Sequence, residues 1–480
     1  MKTLAVSLPR SSFRLLPVWA ALALCATVAR ATAQENHATI PGALEGRPDS
    51  RSVSALQVRI DAARPGERLV VTAGTYRGDL LIDKPLTLVG LGRPLVEGSG
   101  TGSVIRVRAA DVTIEGFDVD GLGRGDLGRD TSGIHVAAPR ATIRDCRVSR
   151  ALFGIYLREA PGSTVAQTVV RGVPGLEPGE KGSGIHVWNT DRFTLTDNRI
   201  YDVRDGFYIQ SSPHGYVARN IASDLRYGLH YMFSDDNTFE DNVFQNAAAG
   251  TALMYSRRIA FRRNQFLHNR GFASVGLLFK SCDDVIADDN LIADNARGIF
   301  LEGSNRTTFR RNIIAESDTA IVLYDSCTNT RFTGNSFVAN LTPLTLSGRR
   351  TDAVFDGNYW SDNTYPDLDG DGFADRPYRL SNVFDHFRGN LTAADLFARG
   401  LAASALGAAE QAFPVLRLIP VEDARPLARP PALPGVPRPE RQSRAARPAG
   451  LVLSLAAIGL GAVTAAAGRI RAQARHKGAS

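Results

Sequence analysis

Sulfur is scarce in this sequence: 4 Cys and 3 Met stand among 480 residues. A disulfide-stapled scaffold is excluded, the more so because Cys25 falls in an N-terminal leader, leaving only Cys146, Cys282 and Cys327. Aromatics at 8% and 45 Gly, near a tenth of the chain, exclude collagen, and 44% hydrophobic residues exclude wholesale disorder. A basic body is missing too. The chain has 56 Lys+Arg and 49 Asp+Glu, but four basics and no acid lie in 1–33, and eleven basics with three acids in 414–480. Residues 34–413 keep 41 basic and 46 acidic groups, so no phosphate-tracking surface and no nucleic-acid partner are expected.

Both ends carry membrane signals. Lys2, Arg10 and Arg14 precede an apolar stretch at 15–28, and Ala31-Thr32-Ala33 makes a small-x-small cleavage site. Residues 1–33 therefore read as a signal peptide, with the mature chain starting at Gln34. Residues 449–468 are uncharged, about 30 Å long as a helix, and Arg469, Arg471, Arg475 and Lys477 follow. They read as a transmembrane helix with the basic tail 469–480 in the cytoplasm and the body outside. The Pro- and Arg-rich stretch 414–448 reads as an extended linker.

The middle repeats. Asn198, Asn220, Asn242 and Asn264 are spaced by 22 residues, and Asn290, Asn312, Asn335 and Asn358 continue the series. In step with it run Gly133-Ile-His, Gly154-Ile-Tyr, Gly184-Ile-His, Gly206-Phe-Tyr, Gly228-Leu-His and Gly298-Ile-Phe. Short β-rich runs at this period mean a solenoid. Leucine-rich repeats need Leu at fixed positions and a helical return, and neither is present. The fold expected is all-β, a right-handed parallel β-helix of ten to twelve coils, each of about 22 residues. An N-terminal cap with a short helix at 55–63 and the first coils take 34–103, and the main solenoid 104–360. An Asp-rich loop (361–380) and a capping segment (381–413) follow. The Asn column predicts an internal amide ladder, in which Cys146 is a buried substitute rather than a nucleophile.

Parity assigns the faces of the strand after each glycine. The residue one after Gly points inward; those two and four after it point outward. The first outward column reads His135, Tyr156, His186, Tyr208, His230, Ala252. The second reads Arg158, Trp188, Gln210, Met232, Met254, Lys280. Beyond the initiator the chain has two methionines, and this register puts them on neighbouring coils of one column, with His230 beside Met232. Thioether plus imidazole is a soft, low-charge ligand set suited to Cu(I) and not to Mg²⁺ or Ca²⁺. The competing reading is an apolar outer patch with Trp188 and Tyr208, covered by a loop or a partner. His186 and His135, further back in the first outward column with His230, are candidates for a second copper stop.

Arg226-Tyr-Gly-Leu-His-Tyr-Met-Phe-Ser234, followed by Ala252-Leu-Met-Tyr-Ser256, resembles the central motif of the NosD family, parallel β-helix (CASH-type) periplasmic factors that mature the copper sites of nitrous oxide reductase. Arg204-Asp-Gly-Phe-Tyr-Ile209 and Gly357-Asn-Tyr-Trp-Ser361 resemble further stretches of it, over roughly 50–430. The resemblance implies no enzymatic activity. It implies work with an ABC transporter (an ATPase plus a permease), a copper-chaperone lipoprotein and nitrous oxide reductase, with Cu(I) as cargo. The stretch 413–419 is the expected permease contact.

Asp367, Asp369, Asp371 and Asp375 occupy positions 1, 3, 5 and 9 of an EF-hand-type order, with Phe373 offering its carbonyl at 7 and Tyr378 replacing the usual Glu at 12. Either weakly held Ca²⁺ or a hydrogen-bonded Asp/Gly turn fits. The rival function is a β-helix polysaccharide lyase, hydrolase or epimerase using Asp205, Tyr208, His214, Asp235 and Asp236. Against it, the chain has no Gly-His-Gly and no Asp-Pro-His-Asp.

Overall fold

A computed structural model describes residues 54–123, 128, 130–348, 350–380, 405 and 421–432. Short parallel strands stack coil on coil: Thr194–Thr196 pairs with Thr164–Ala166 on one side and Tyr216–Ala218 on the other. The chain builds a parallel β-solenoid of about thirteen coils, one or more beyond the ten to twelve expected. The three-residue strands bury their middle side chain, as in Thr194–Thr196 and Thr238–Glu240, and these inward positions fill the core. Inner aromatics stack between coils, with Phe309 4.7 Å from Phe332 and Phe332 4.8 Å from Phe355, centroid to centroid.

Asparagine marks one corner of the coil. Asn198 Nδ2 donates to Val165 O and to Asn220 Oδ1, both at 2.9 Å, and the pattern repeats through Asn220, Asn242, Asn264, Asn290, Asn312 and Asn335. Thr168 and Cys146 extend the column at its start: the Cys146 amide donates to Thr168 Oγ1, and the Thr168 amide to Asn198 Oδ1. Among the described residues Cys146, Cys282 and Cys327 are buried and unpaired, and burial pushes the Cys146 thiol up to about 11.

The residue before each ladder position is left-handed, with φ between 48° and 59° at Asp145, Gln167, Asp197, Arg219, Asp241, Arg263, Asp289 and Arg311. From Asp197 onward these corners alternate in charge and pair: Arg219 with Asp197, Arg263 with Asp241, Arg311 with Asp289. The glycine series has a steric cause. At Gly228 a Cβ would lie 2.5 Å from the Gly250 carbonyl oxygen, so only glycine lets the next coil approach there.

Both ends are covered. At one, the helix Ala55–Ala62 buries Leu56 and Ile60, and the Gln57 amide pairs with Leu81 N–H and C=O as a strand would. At the other, a segment inside the expected linker returns to the solenoid. Asp423 pairs with Phe355 and Tyr378, and its buried carboxylate accepts from Gly357 N, Asn358 N, Asn358 Nδ2 and Trp360 Nε1. Residues 421–432 are thus built into the last coil rather than extended, a correction to the linker reading of 414–448. The expected signal peptide, the segment 381–413 apart from Ala405, the stretch 413–419, the rest of the expected linker and 449–480 lie outside the described residues. Among the described residues no helix is long and apolar enough to cross a membrane.

Candidate metal centre

Most coils break their second face into a three-residue and a six-residue strand. On two coils, strands run unbroken for 12 residues, Ile221–Met232 and Val243–Met254. Their register pairs His230 with Ala252 and Met232 with Met254, while Tyr208 and Gln210 sit opposite His230 and Met232 on the preceding coil. Burial alternates as parity requires: Leu229, Tyr231 and Leu253 are buried, and His230, Met232 and Met254 are partly open. The two thioethers and one imidazole thus share one outer face.

That face is recessed, which the sequence did not suggest. The His230 side chain is 13% exposed, walled edge-on by Tyr208 at 4.8 Å and Tyr227 at 5.1 Å. Tyr208 Oη donates to Gln210 Oε1 at 2.8 Å and lies 4.0 Å from Met232 Sδ. Beside the methionines, Phe233 and Tyr255 stack at 5.1 Å with exposed rings. The first outward column is one continuous stack, His135–Tyr156–His186–Tyr208–His230, with centroid spacings of 5.0, 4.4, 4.4 and 4.8 Å. It ends where Ala252 replaces a ring. A groove of about 670 Å³ opens there, bounded by Tyr227, Ala249, Leu278 and the outstanding Phe272.

His186 is set apart from the His230–Met pair by the Tyr208 ring. Burial pushes its imidazole down to about 3, and Nδ1 has no hydrogen-bond partner among the described residues.

Asp205 is the residue whose role near the site the sequence reading missed. Its carboxylate is fully buried beneath His230 and accepts from Arg226 Nε and Nη2 at 2.9 and 2.8 Å, and from Arg204 Nε at 3.2 Å. His230 Nδ1 lies 3.4 Å from Asp205 Oδ2. Burial alone would raise the Asp205 pKa, but the hydrogen bonds from His230 and Arg226 outweigh it and hold the carboxyl below its usual range. The signal was readable: Arg204 and Arg226 stand one repeat apart before the same glycine position.

The lyase-type set does not gather at one point: Asp205 and Tyr208 flank His230, whereas His214 sits in a turn 2.7 Å from Asp191 and 3.8 Å from Asp236, and Asp235 and Asp236 pair with Arg258. In the Asp-rich loop, the carboxylates of Asp367, Asp369 and Asp371 come within 4.8 Å of one another. Asp367 also accepts from Gly370 N and Gly372 N, and Asp371 from Phe373 N. Asp375 turns away to Leu368 N, and the Tyr378 hydroxyl donates to Asp362.

Residues 167–389 match the family model described as "Periplasmic copper-binding protein (NosD)". A Pseudomonas aeruginosa protein named probable ABC transporter binding protein NosD is 28% identical over 406 residues, 81% of this chain and 93% of that protein. The chain belongs to the NosD family. The Stutzerimonas stutzeri NosD of the same name is 27% identical over 413 residues, covering 80% of this chain and 91% of its own length. Among solved structures, the A-module of the Azotobacter vinelandii mannuronan C-5 epimerase AlgE4 superposes with a TM-score of 0.54. It is 16% identical, covering 62% of this chain and 94% of that one, which bears on the fold alone. The family match spans every residue of the His230, Met232 and Met254 face.

Proposed function

We propose that the protein is a periplasmic accessory of an ABC transporter system that matures the copper sites of nitrous oxide reductase. It holds Cu(I) transiently on His230, Met232 and Met254 and catalyses no reaction of its own. The observation that carries this reading is the pairing of the only two internal methionines as register partners on neighbouring coils, with His230 on the same face. Three neutral, soft donors favour Cu(I) over hard divalent ions, and without a thiolate they make a poor permanent zinc site. A cargo site must also release. Three donors leave a coordination position open, and the groove at Ala252 brings solvent or another ligand to the edge of that face.

The partners in this reading are the transporter's ATPase and permease, a copper-chaperone lipoprotein and nitrous oxide reductase. The names of the relatives, which refer to an ABC transporter, and the description of the family, which refers to copper, support it. The same reading places the body in the periplasm, attached to the inner membrane through 449–468. The Asp-rich loop takes Ca²⁺ as a stabilising ion.

The deciding experiment is Met232→Ile with Met254→Ile. Both side chains point outward, so the variant should fold and be exported, yet lose Cu(I) in competition with bicinchoninate and leave the reductase copper-poor. Unchanged copper loading would return the methionines to a packing role.

A further inference from the structure

Two separated stretches, Arg204–Asp205 and Arg226–His230, meet under the outer face through a single carboxylate. We propose that Asp205 is a positioning residue that holds the Nδ1 edge of His230 and so leaves Nε2 as the nitrogen open to a soft metal. The inference rests on the copper reading above and adds to it the group that sets the imidazole.

The chemistry follows from who can donate. An ionised carboxylate only accepts, so a neutral imidazole facing it must place its proton on Nδ1 and its lone pair on Nε2. The carboxylate is itself fixed in plane. Arg226 grips both oxygens at 2.9 and 2.8 Å, and Arg204 adds a third bond at 3.2 Å. Arg226 in turn lies over the Tyr227 ring at 4.5 Å, and Tyr227 is one of the two rings edge-on to His230. Carboxylate, guanidinium, tyrosine and imidazole therefore close a small circuit around one ring.

A purely structural ion pair does not need this placement. The Arg226 and Arg204 side chains keep 38% and 24% exposure while the Asp205 side chain keeps none, so the anion has been drawn inward, away from solvent and under the imidazole. Burying a carboxylate is costly unless its lone pairs are used, and one of those uses is the 3.4 Å approach of His230 Nδ1. Residues that hold a ligand histidine in this way fix its tautomer and raise its basicity, and losing them weakens metal binding about 10–100-fold.

The test uses the exported, metal-free protein with ¹⁵N-labelled histidine, the His230 signals being assigned by their loss in His230→Gln. The expected result is an Nδ1–H tautomer at His230 in the wild type. Asp205→Asn puts an amide where the carboxylate stood; its N–H₂ can donate to Nδ1, so the proton should move to Nε2. Cu(I) affinity, read by competition with bicinchoninate, should then fall about 10–100-fold while the melting temperature confirms a folded chain. An Nε2–H tautomer in the wild type overturns the inference, and so does an Asn variant that folds and keeps both tautomer and affinity. If Asp205→Asn fails to fold, the wild-type tautomer still decides. Failure of the copper reading looks different: the methionine double variant would then bind Cu(I) like the wild type, whatever the tautomer at His230.

Discussion

Truncating Asp423 to alanine should unfasten the end of the solenoid without melting its middle. The carboxylate is fully buried and accepts from Gly357 N at 3.1 Å, Asn358 N at 2.9 Å, Asn358 Nδ2 at 2.9 Å and Trp360 Nε1 at 3.2 Å. Asn358 is the last member of the amide ladder, and Asp423 does for it what the next asparagine does for every other. A buried donor stripped of its acceptor costs about 1–3 kcal/mol, and water entering the vacated space recovers part of that. Summed over four donors and reduced by that recovery, the net loss is about 3–5 kcal/mol. Coils in a solenoid touch only their neighbours, so the loss is local. Hydrogen exchange read by mass spectrometry should show faster exchange in Val354–Asp356 and Tyr359–Trp360, with Thr194–Thr196 and Thr238–Glu240 unchanged. Asp423→Asn keeps one acceptor oxygen but turns an N–H₂ into a nest of donors, and should fall between wild type and alanine. If protection at 354–360 is untouched by Asp423→Ala, the ladder does not depend on this cap.

Chelator should lower the melting temperature of the wild type through the Asp367, Asp369 and Asp371 cluster, and Asp369→Ala should remove that sensitivity; a wild type indifferent to chelator makes the loop a plain turn. Acid should destabilise the metal-free protein through His186. Its imidazole takes a proton near 6.5 when unfolded but only at about 3 when folded, so this contribution is complete above 6.5 and is lost as pH falls from there. The slope is at most about 1.4 kcal/mol per pH unit, and His186→Phe should flatten it between pH 6.5 and 4 in urea titrations. An unchanged slope would mean that His186 is protonated in the fold. The outward methionines carry the remaining expectation, copper loss without unfolding in Met232→Ile with Met254→Ile.

The period of the asparagines made the solenoid legible, because a ladder that must bond every coil to the next leaves the same residue at the same interval. Parity then placed Met232 on Met254 and His230 on their face, since side-chain direction in a strand has a period of two and needs no knowledge of packing. Depth was not legible. Whether an outward imidazole is open or walled in depends on the rings of Tyr208 and Tyr227, one from the coil before and one from three residues upstream. The cap was hidden for a different reason. Asp423 lies 65 residues beyond Asn358 in a Pro-rich stretch with no period, and a single carboxylate that completes a ladder has no repeat to announce it. The glycine series was visible as a pattern, but its reason, the approach of the next coil's carbonyl, is a distance that exists only in the folded stack.

The alternating corners have a further consequence. A chain of near-identical coils can misalign by one whole coil at little cost, because strands, core and amide ladder would all find substitutes of the same kind. The corner charges break that equivalence. Asp197, Arg219, Asp241, Arg263, Asp289 and Arg311 make a two-coil unit out of a one-coil repeat. Each surface pair adds little stability, but a one-coil slip would set aspartate where arginine belongs along the whole edge at once. The row works as a parity check on threading, separating the right stacking from its nearest wrong one by the sum of many small repulsions.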